Sequence, residues 1–261
     1  MGYFVTDSAV VSLIFGLFGA VIGSFLNVCI VRWPAEQSVV KPRSRCPKCN
    51  YQIQWFDNVP MVSWLVLGGK CRSCRTPISP MYPLVELANG LIWAWLGYRF
   101  GPSLEAIRGA IFCTILLGIA MTDARDYLIP DEFTIGGLVV GLALAAAGGT
   151  SALLQGAIGA AVGFGLLWLV GYLGSKAFKE EAMGGGDIKM MAMVGAFVGW
   201  QGVLLTIFLG AFAGTLVFLP LALVGKKKLV PFGVFLAVGA AISYLIGPAI
   251  IEWYRGFVGA A

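Results

Sequence analysis

The chain has 261 residues, 59% of them hydrophobic and only 12% charged, with a mean hydropathy of +0.86 and a formal net charge of +5. So apolar a composition excludes a soluble globular domain and specifies an all-α polytopic membrane protein. Histidine is absent, which excludes Ser-His and Cys-His nucleophilic pairs, zinc peptidase helices of the His-Glu-x-x-His type and imidazole bases.

Apolar runs measured against the roughly 20 residues that a helix needs to cross a bilayer predict about eight transmembrane helices, near 8–30, 82–99, 106–122, 133–149, 152–174, 188–200, 202–224 and 230–251. The first run is too long for a signal-peptide core and lacks a basic segment before it, so it reads as a retained helix. The sixth is short, at about 20 Å, and a crossing is preferred to a re-entrant segment because re-entry would invert every later loop. Gly19-x-x-x-Gly23 and Gly159-x-x-x-Gly163 have the spacing that lets helix backbones approach, though 36 glycines produce such spacings readily by chance. Three stretches follow: a first helix at 1–31, a cytoplasmic insert at 32–80, and a membrane core at 81–261.

Charge sets the orientation. The 32–80 connection carries Arg32, Lys41, Arg43, Arg45, Lys48, Lys70, Arg72 and Arg75, so it is expected in the cytoplasm and both termini outside. Arg125, the group Lys176, Lys179 and Lys189, and the triplet Lys226-Lys227-Lys228 then fall on the same side. Of the 18 basic residues, only Arg99, Arg108 and Arg255 lie outside.

Acidic residues stand where so apolar a chain carries charge least easily. Asp123, Asp126, Asp131 and Glu132 cluster at the cytoplasmic end of the third span, and Asp187 opens the sixth behind Gly184-Gly185-Gly186. Ionisable groups at membrane depth face a protein interior or a watery cavity and mark function. Two carboxyls sharing a proton form an acid and base pair, one activating water and the other protonating a carbonyl, as in an aspartyl protease. The glycines let a substrate backbone come close to Asp187. For its partner, chemistry alone does not choose Asp123 over Asp126 or Asp131. Lys189 and Arg125 are the cations that would neutralise ordinary interfacial acids here.

Cys46-Pro-Lys-Cys49 and Cys71-Arg-Ser-Cys74 are two Cys-x-x-Cys knuckles at close to zinc-ribbon spacing. Four thiolates would close a structural zinc site, supplying folding energy that so small an insert cannot gain from apolar burial. Disulfides are the competing reading, disfavoured in a reducing compartment. Cys29 and Cys113 lie in apolar spans and read as small buried side chains.

Several motifs in order carry a resemblance: Gly23-Ser-Phe-Leu-Asn-Val-Cys-Ile-Val-Arg-Trp-Pro34, Trp55-Phe-Asp-Asn-Val-Pro60, Tyr82-Pro-Leu-Val-Glu86, Ile129-Pro130-Asp131, Gly184-Gly185-Gly186-Asp187 and Pro231-Phe-Gly-Val-Phe-Leu236. Together they resemble the bacterial type IV prepilin peptidases, membrane aspartyl proteases with a Gly-x-Gly-Asp motif. The resemblance implies that Asp123, several residues before Ile129-Pro130-Asp131, is the partner of Asp187. Type IV prepilins or pseudopilins are the implied substrates, cut at the cytoplasmic face of a bacterial inner membrane, with the lipid bilayer as surroundings and no nucleic acid partner. Members with a four-cysteine insert also methylate the new N-terminal amine using S-adenosylmethionine. Glu86, Asp57 and Asn58 are the expected helpers at that donor or amine site. The competing readings are a proton-coupled transporter, a peptidase without methylation, and a zinc hydrolase, the last disfavoured by four thiolates and no histidine.

Overall fold

The computed structural model describes residues 2–180, 182–223 and 230–259. Its long helices are α1 (Gly2–Arg32), α3 (Met81–Phe100), α4 (Leu104–Asp126), α5 (Asp131–Ala147), α6 (Thr150–Phe178), α7 (Gly185–Leu223) and α8 (Phe232–Gly259), with the short α2 (Val62–Val66) inside the insert. Each apolar run read from the sequence is helical over most of its described length, the runs at 133–149 and 230–251 each losing two residues at one end. The lysine triplet at 226–228, used in the charge argument, lies outside the described residues. Five of these helices are long and apolar enough to cross a membrane by length and composition: α1, α4, α6, α7 and α8. The other two are α5, short at 17 residues, and α3, which carries Glu86, Asn89 and Arg99. Leu13, Leu17, Phe18, Val21 and Phe25 stand exposed along α1, as lipid-facing side chains do, since apolar surface of that extent is stable only in hydrocarbon.

The runs at 188–200 and 202–224 are joined in α7, which is broken at Gly199 (φ 70°, ψ 177°). Straight, the 36 residues of Gly185–Pro220 would reach about 54 Å, far more than one crossing. They are not straight. A β-carbon on Gly163 would touch both the Met191 carbonyl and Val203 Cγ2, which a continuous helix holds about 18 Å apart. The chain therefore turns sharply at Gly199, in a left-handed conformation that glycine adopts without strain.

The chain forms two compact units, Met1–Gly118 and Ile119–Ala261, divided within α4. In the first, α1 and α3 run antiparallel, with Gly19 against Trp93 and Asn89, and Gly23 against the backbone of Glu86. Asn89, wholly buried, donates to the Gly19 carbonyl (2.7 Å) and accepts from Thr114 Oγ1 (2.8 Å), which in turn receives the Trp93 indole N–H (2.9 Å). Such buried bonds between membrane helices contribute about 0.6 kcal/mol each and fix register.

In the second unit α7 packs on α5, α6 and α8. Gly159 and Gly195 face each other so closely that a β-carbon on either would collide with the other's backbone. The Gly159-x-x-x-Gly163 spacing, unremarkable statistically, is thus the seam where α6 meets α7. Replacing Gly163 with leucine is expected to destabilise this unit by about 3 kcal/mol, seen as a lower thermal midpoint in detergent; an unchanged midpoint would contradict the packing.

Candidate active site

Asp123 lies in the last turn of α4 and is 6% exposed, with no cation paired to it among the described residues. Its Oδ2 accepts the backbone N–H of Val234 at 3.1 Å, from the first turn of α8. Asp187 opens α7. Its Oδ1 is buried without a hydrogen-bond partner, and its carboxyl is close enough to feel the charge of Asp123. An unpartnered carboxylate oxygen beside a second carboxyl is a poor structural device and a good reactive one, because it leaves an acceptor free for water.

The rival acids are otherwise engaged. Asp126 is exposed and bound to Arg125 (2.7 Å), while Asp131 is exposed and held by Lys189 Nζ through both oxygens (2.7 and 2.8 Å). The three acids on that stretch thus differ in burial and in pairing. Asp123 is the acid on that stretch that is buried and free of a cation. Lys189 serves Asp131, tying the start of α5 to the start of α7 two residues beyond Asp187.

Ile129 gathers the pieces. A β-carbon on Gly186 would lie 3.0 Å from Ile129 Cβ, and one on Gly233 would lie 2.7 Å from Ile129 Cδ1 and 2.9 Å from Asp123 Oδ2. The Ile129-Pro130-Asp131 loop, the glycine run and the start of α8 therefore close on one side chain, so a methyl group would be tight at Gly186 and at Gly233 would push on Ile129 and the Asp123 carboxyl. Gly185 has open space about its α-carbon, and Gly184 sits against Asp187 Oδ2. Gly233→Ala is expected to slow the dyad's reaction at least tenfold at normal expression, measured as a cleavage rate; a parental rate would contradict this packing. The contribution of Gly233 and Val234 is not evident from the sequence, since Val234 meets Asp123 across 111 residues of chain.

In the first unit the two knuckles repeat one design. Cys46 N–H donates to the Tyr51 carbonyl and Asn50 N–H returns to the Cys46 carbonyl, while Cys71 N–H donates to the Thr76 carbonyl and Arg75 N–H returns to that of Cys71. Asn50 and Arg75 both take positive φ (57° and 58°), and isolated bridges join Arg45 to Gln52 and Lys70 to Pro77. All four sulfurs lie within 4.8 Å of one another, with Cys46 to Cys74 at 3.7 Å and Cys49 to Cys71 at 3.9 Å. A tetrahedral metal with bonds of about 2.3 Å separates its thiolates by about 3.8 Å, so the cluster fits a metal ion. Hydrogen bonds from the Thr76 hydroxyl and then the Thr76 backbone draw the Cys74 thiol down to about 6, supplying a ready thiolate. The cysteines are free thiols here, against the disulfide reading.

Asp57, its side chain 5% exposed, is bound by Arg72 from the second knuckle at 2.6 Å, and Arg72 also lies over the Phe56 ring. Asn58 is exposed. Glu86, 8% exposed, accepts the Met61 N–H at 2.7 Å and so ties the insert to α3. Met61 itself has φ 58°.

Residues 17–100 match the Bacterial Peptidase A24 N-terminal domain, and residues 110–219 match the Type IV leader peptidase family. A protein of Aeromonas hydrophila, "Prepilin leader peptidase/N-methyltransferase", is 34% identical over 93% of each chain. The chain belongs to the type IV leader peptidase family. Relatives of the same name occur in Pseudomonas aeruginosa, 35% identical over 93% of each chain, and in Myxococcus xanthus, 40% identical over 83% of this chain and 64% of that protein. No solved structure matches. Within this leader peptidase fold the first family domain holds the cysteine cluster and Glu86, which lie in the first compact unit, and the second holds Asp123 and Asp187, which lie in the other. Membership does not favour the transporter reading, and a closed set of four thiolates leaves a zinc hydrolase no open position.

Proposed function

We propose that the chain removes the leader peptide of type IV prepilins or pseudopilins at the cytoplasmic face of a bacterial inner membrane, then methylates the new N-terminal amine with S-adenosylmethionine. The observation that carries the first step is the burial of Asp123, without a cation, beside the unpartnered Asp187 oxygen. One carboxylate takes a proton from water as the water attacks the scissile carbonyl. The other carboxyl donates toward that carbonyl oxygen, and the proton passes to the leaving amine as the C–N bond breaks. Backbone N–H groups at the start of α8 hold Asp123 in place, and Lys189 with Asp131 holds the segment that bears Asp187.

Zinc is the metal best suited to Cys46, Cys49, Cys71 and Cys74, in a structural role. It would brace the insert, whose Arg72 bond to Asp57 and Met61 bond to Glu86 run from the knuckles to α3. Glu86, Asp57 and Asn58 would then border the site of methylation, where the methyl donor, when bound, supplies an electrophilic methyl group. Basic residues of the insert support a cytoplasmic location for it, with both termini outside. Incubating a purified prepilin with the detergent-solubilised protein, with and without S-adenosylmethionine, tests the reading by intact mass. Leader loss in both samples and one further methyl with the donor are expected; an unaltered prepilin would refute it.

A further inference from the structure

We propose that Asn27 and Glu86 form the seat of an alkylammonium group, namely the N-terminal amine of the cleaved pilin. The inference rests on the methylation reading and gives it a place. Asn27, in α1, is 3% exposed. Its Nδ2 donates to the Tyr82 carbonyl at 2.9 Å, which fixes the orientation of the amide and leaves Oδ1 buried with no hydrogen-bond partner. A buried acceptor left in that state costs free energy that a ligand's donor would recover.

Glu86 lies one helical turn beyond Tyr82 on the same face of α3. Gly23, one turn before Asn27 on α1, is pressed against its α-carbon, where a β-carbon would come within 2.9 Å. Asn27 and Glu86 therefore share the antiparallel seam of α1 and α3. Glu86 Oε2 receives only the Met61 N–H, and no lysine or arginine pairs with the carboxylate among the described residues. A buried carboxylate and an orphaned amide oxygen, with no cation of the protein's own, match a ligand that is positive and carries several N–H donors. An anion or a neutral acceptor would leave both groups unsatisfied.

Position selects the pilin amine. Asn27 stands five residues before the end of α1 and Glu86 five after the start of α3, the two ends between which the insert emerges. The cleaved pilin begins with such an ammonium at the head of its hydrophobic helix. A helix lying among the spans would bring that head to the level of Asn27 and Glu86. Methylation requires it to be held still and out of water, which acceptors in a helix seam achieve and a solvated loop does not.

The test uses mature pilin with a free or an acetylated N-terminus, binding to the full-length protein in lipid nanodiscs without methyl donor. The parent is expected to bind the free amine about tenfold more tightly than the acetylated form. Asn27→Leu and Glu86→Gln should each erase that preference, and Asn27→Asp should preserve it, while prepilin cleavage by the same preparations shows that the fold is intact. No preference in the parent, or one that survives both variants, would overturn the proposal. So would equal loss in Asn27→Asp and Asn27→Leu, which marks a packing role. S-adenosylhomocysteine, which also carries an ammonium, serves as the second probe. Its weakened binding to the variants, with pilin preference unchanged, would assign the seat to the donor and overturn the pilin assignment. A parent that cleaves without ever adding a methyl refutes the methylation reading separately, and the acetylation comparison still decides the seat.

Discussion

Cys71→Ser is expected to abolish methyl transfer and metal binding together, while leader cleavage stays within about threefold of the parent. The insert between α1 and α3 has two isolated bridges, two single-turn 3₁₀ segments and a five-residue helix to hold it, so its order rests on whatever joins the knuckles. A structural zinc bound by four thiolates contributes about 10 kcal/mol or more of folding free energy at neutral pH. Losing one ligand forfeits much of that, and with it the Arg72 to Asp57 and Met61 to Glu86 links. Cleavage is spared because the end of α4, the Ile129 loop, the start of α7 and the start of α8 all belong to the other compact unit. Metal content, protease sensitivity of residues 32–80 and the two activities check this on one sample. Acid should mimic the substitution, since protonating thiolates opposes metal binding. A metal-free variant with full methyl transfer would contradict the structural role of the cluster.

Asp187→Asn should have the opposite signature, lowering prepilin cleavage about a thousandfold while methyl transfer to an already cleaved pilin persists. The substitution is nearly isosteric, so the contacts of Gly184 and Gly186 survive it, and only the ability to exchange a proton with Asp123 and water is lost. Intact mass of a prepilin and of a pre-cleaved pilin, run side by side, separates the activities. Parallel loss of both would mean that one site serves both reactions.

Much of this was legible because membrane physics writes plainly into sequence. Apolar runs of crossing length give the helices, and acids stranded among them give the candidate site. The glycines before Asp187 read as room for a substrate backbone, whereas the side chain of Ile129 stands against Gly186 and open space is found at Gly185. What stayed hidden depends on contacts distant in sequence. Asp123 could not be told from Asp126 and Asp131 by chemistry, because the difference lies in Arg125 and Lys189 occupying the other two. The Val234 N–H reaches Asp123 only through the placement of α8. Gly159 and Gly163 looked like chance in a glycine-rich chain, and only the backbone of α7 against them shows their use. The runs at 188–200 and 202–224 were separable, but nothing local marked Gly199 among so many glycines as the residue that takes positive φ.

One pair, the buried Asp123 with the half-buried Asp187, is expected to perform the cleavage. Intact-mass assay of a single prepilin against four preparations, Asp123→Asn, Asp126→Asn, Asp131→Asn and Asp187→Asn, tests it most directly. An uncut prepilin is expected with the first and last, near-parental cleavage with Asp126→Asn, and a loss of less than tenfold with Asp131→Asn, which gives up only an exposed ion pair. Cleavage that survives Asp123→Asn or Asp187→Asn, or is lost equally in Asp126→Asn, would contradict it.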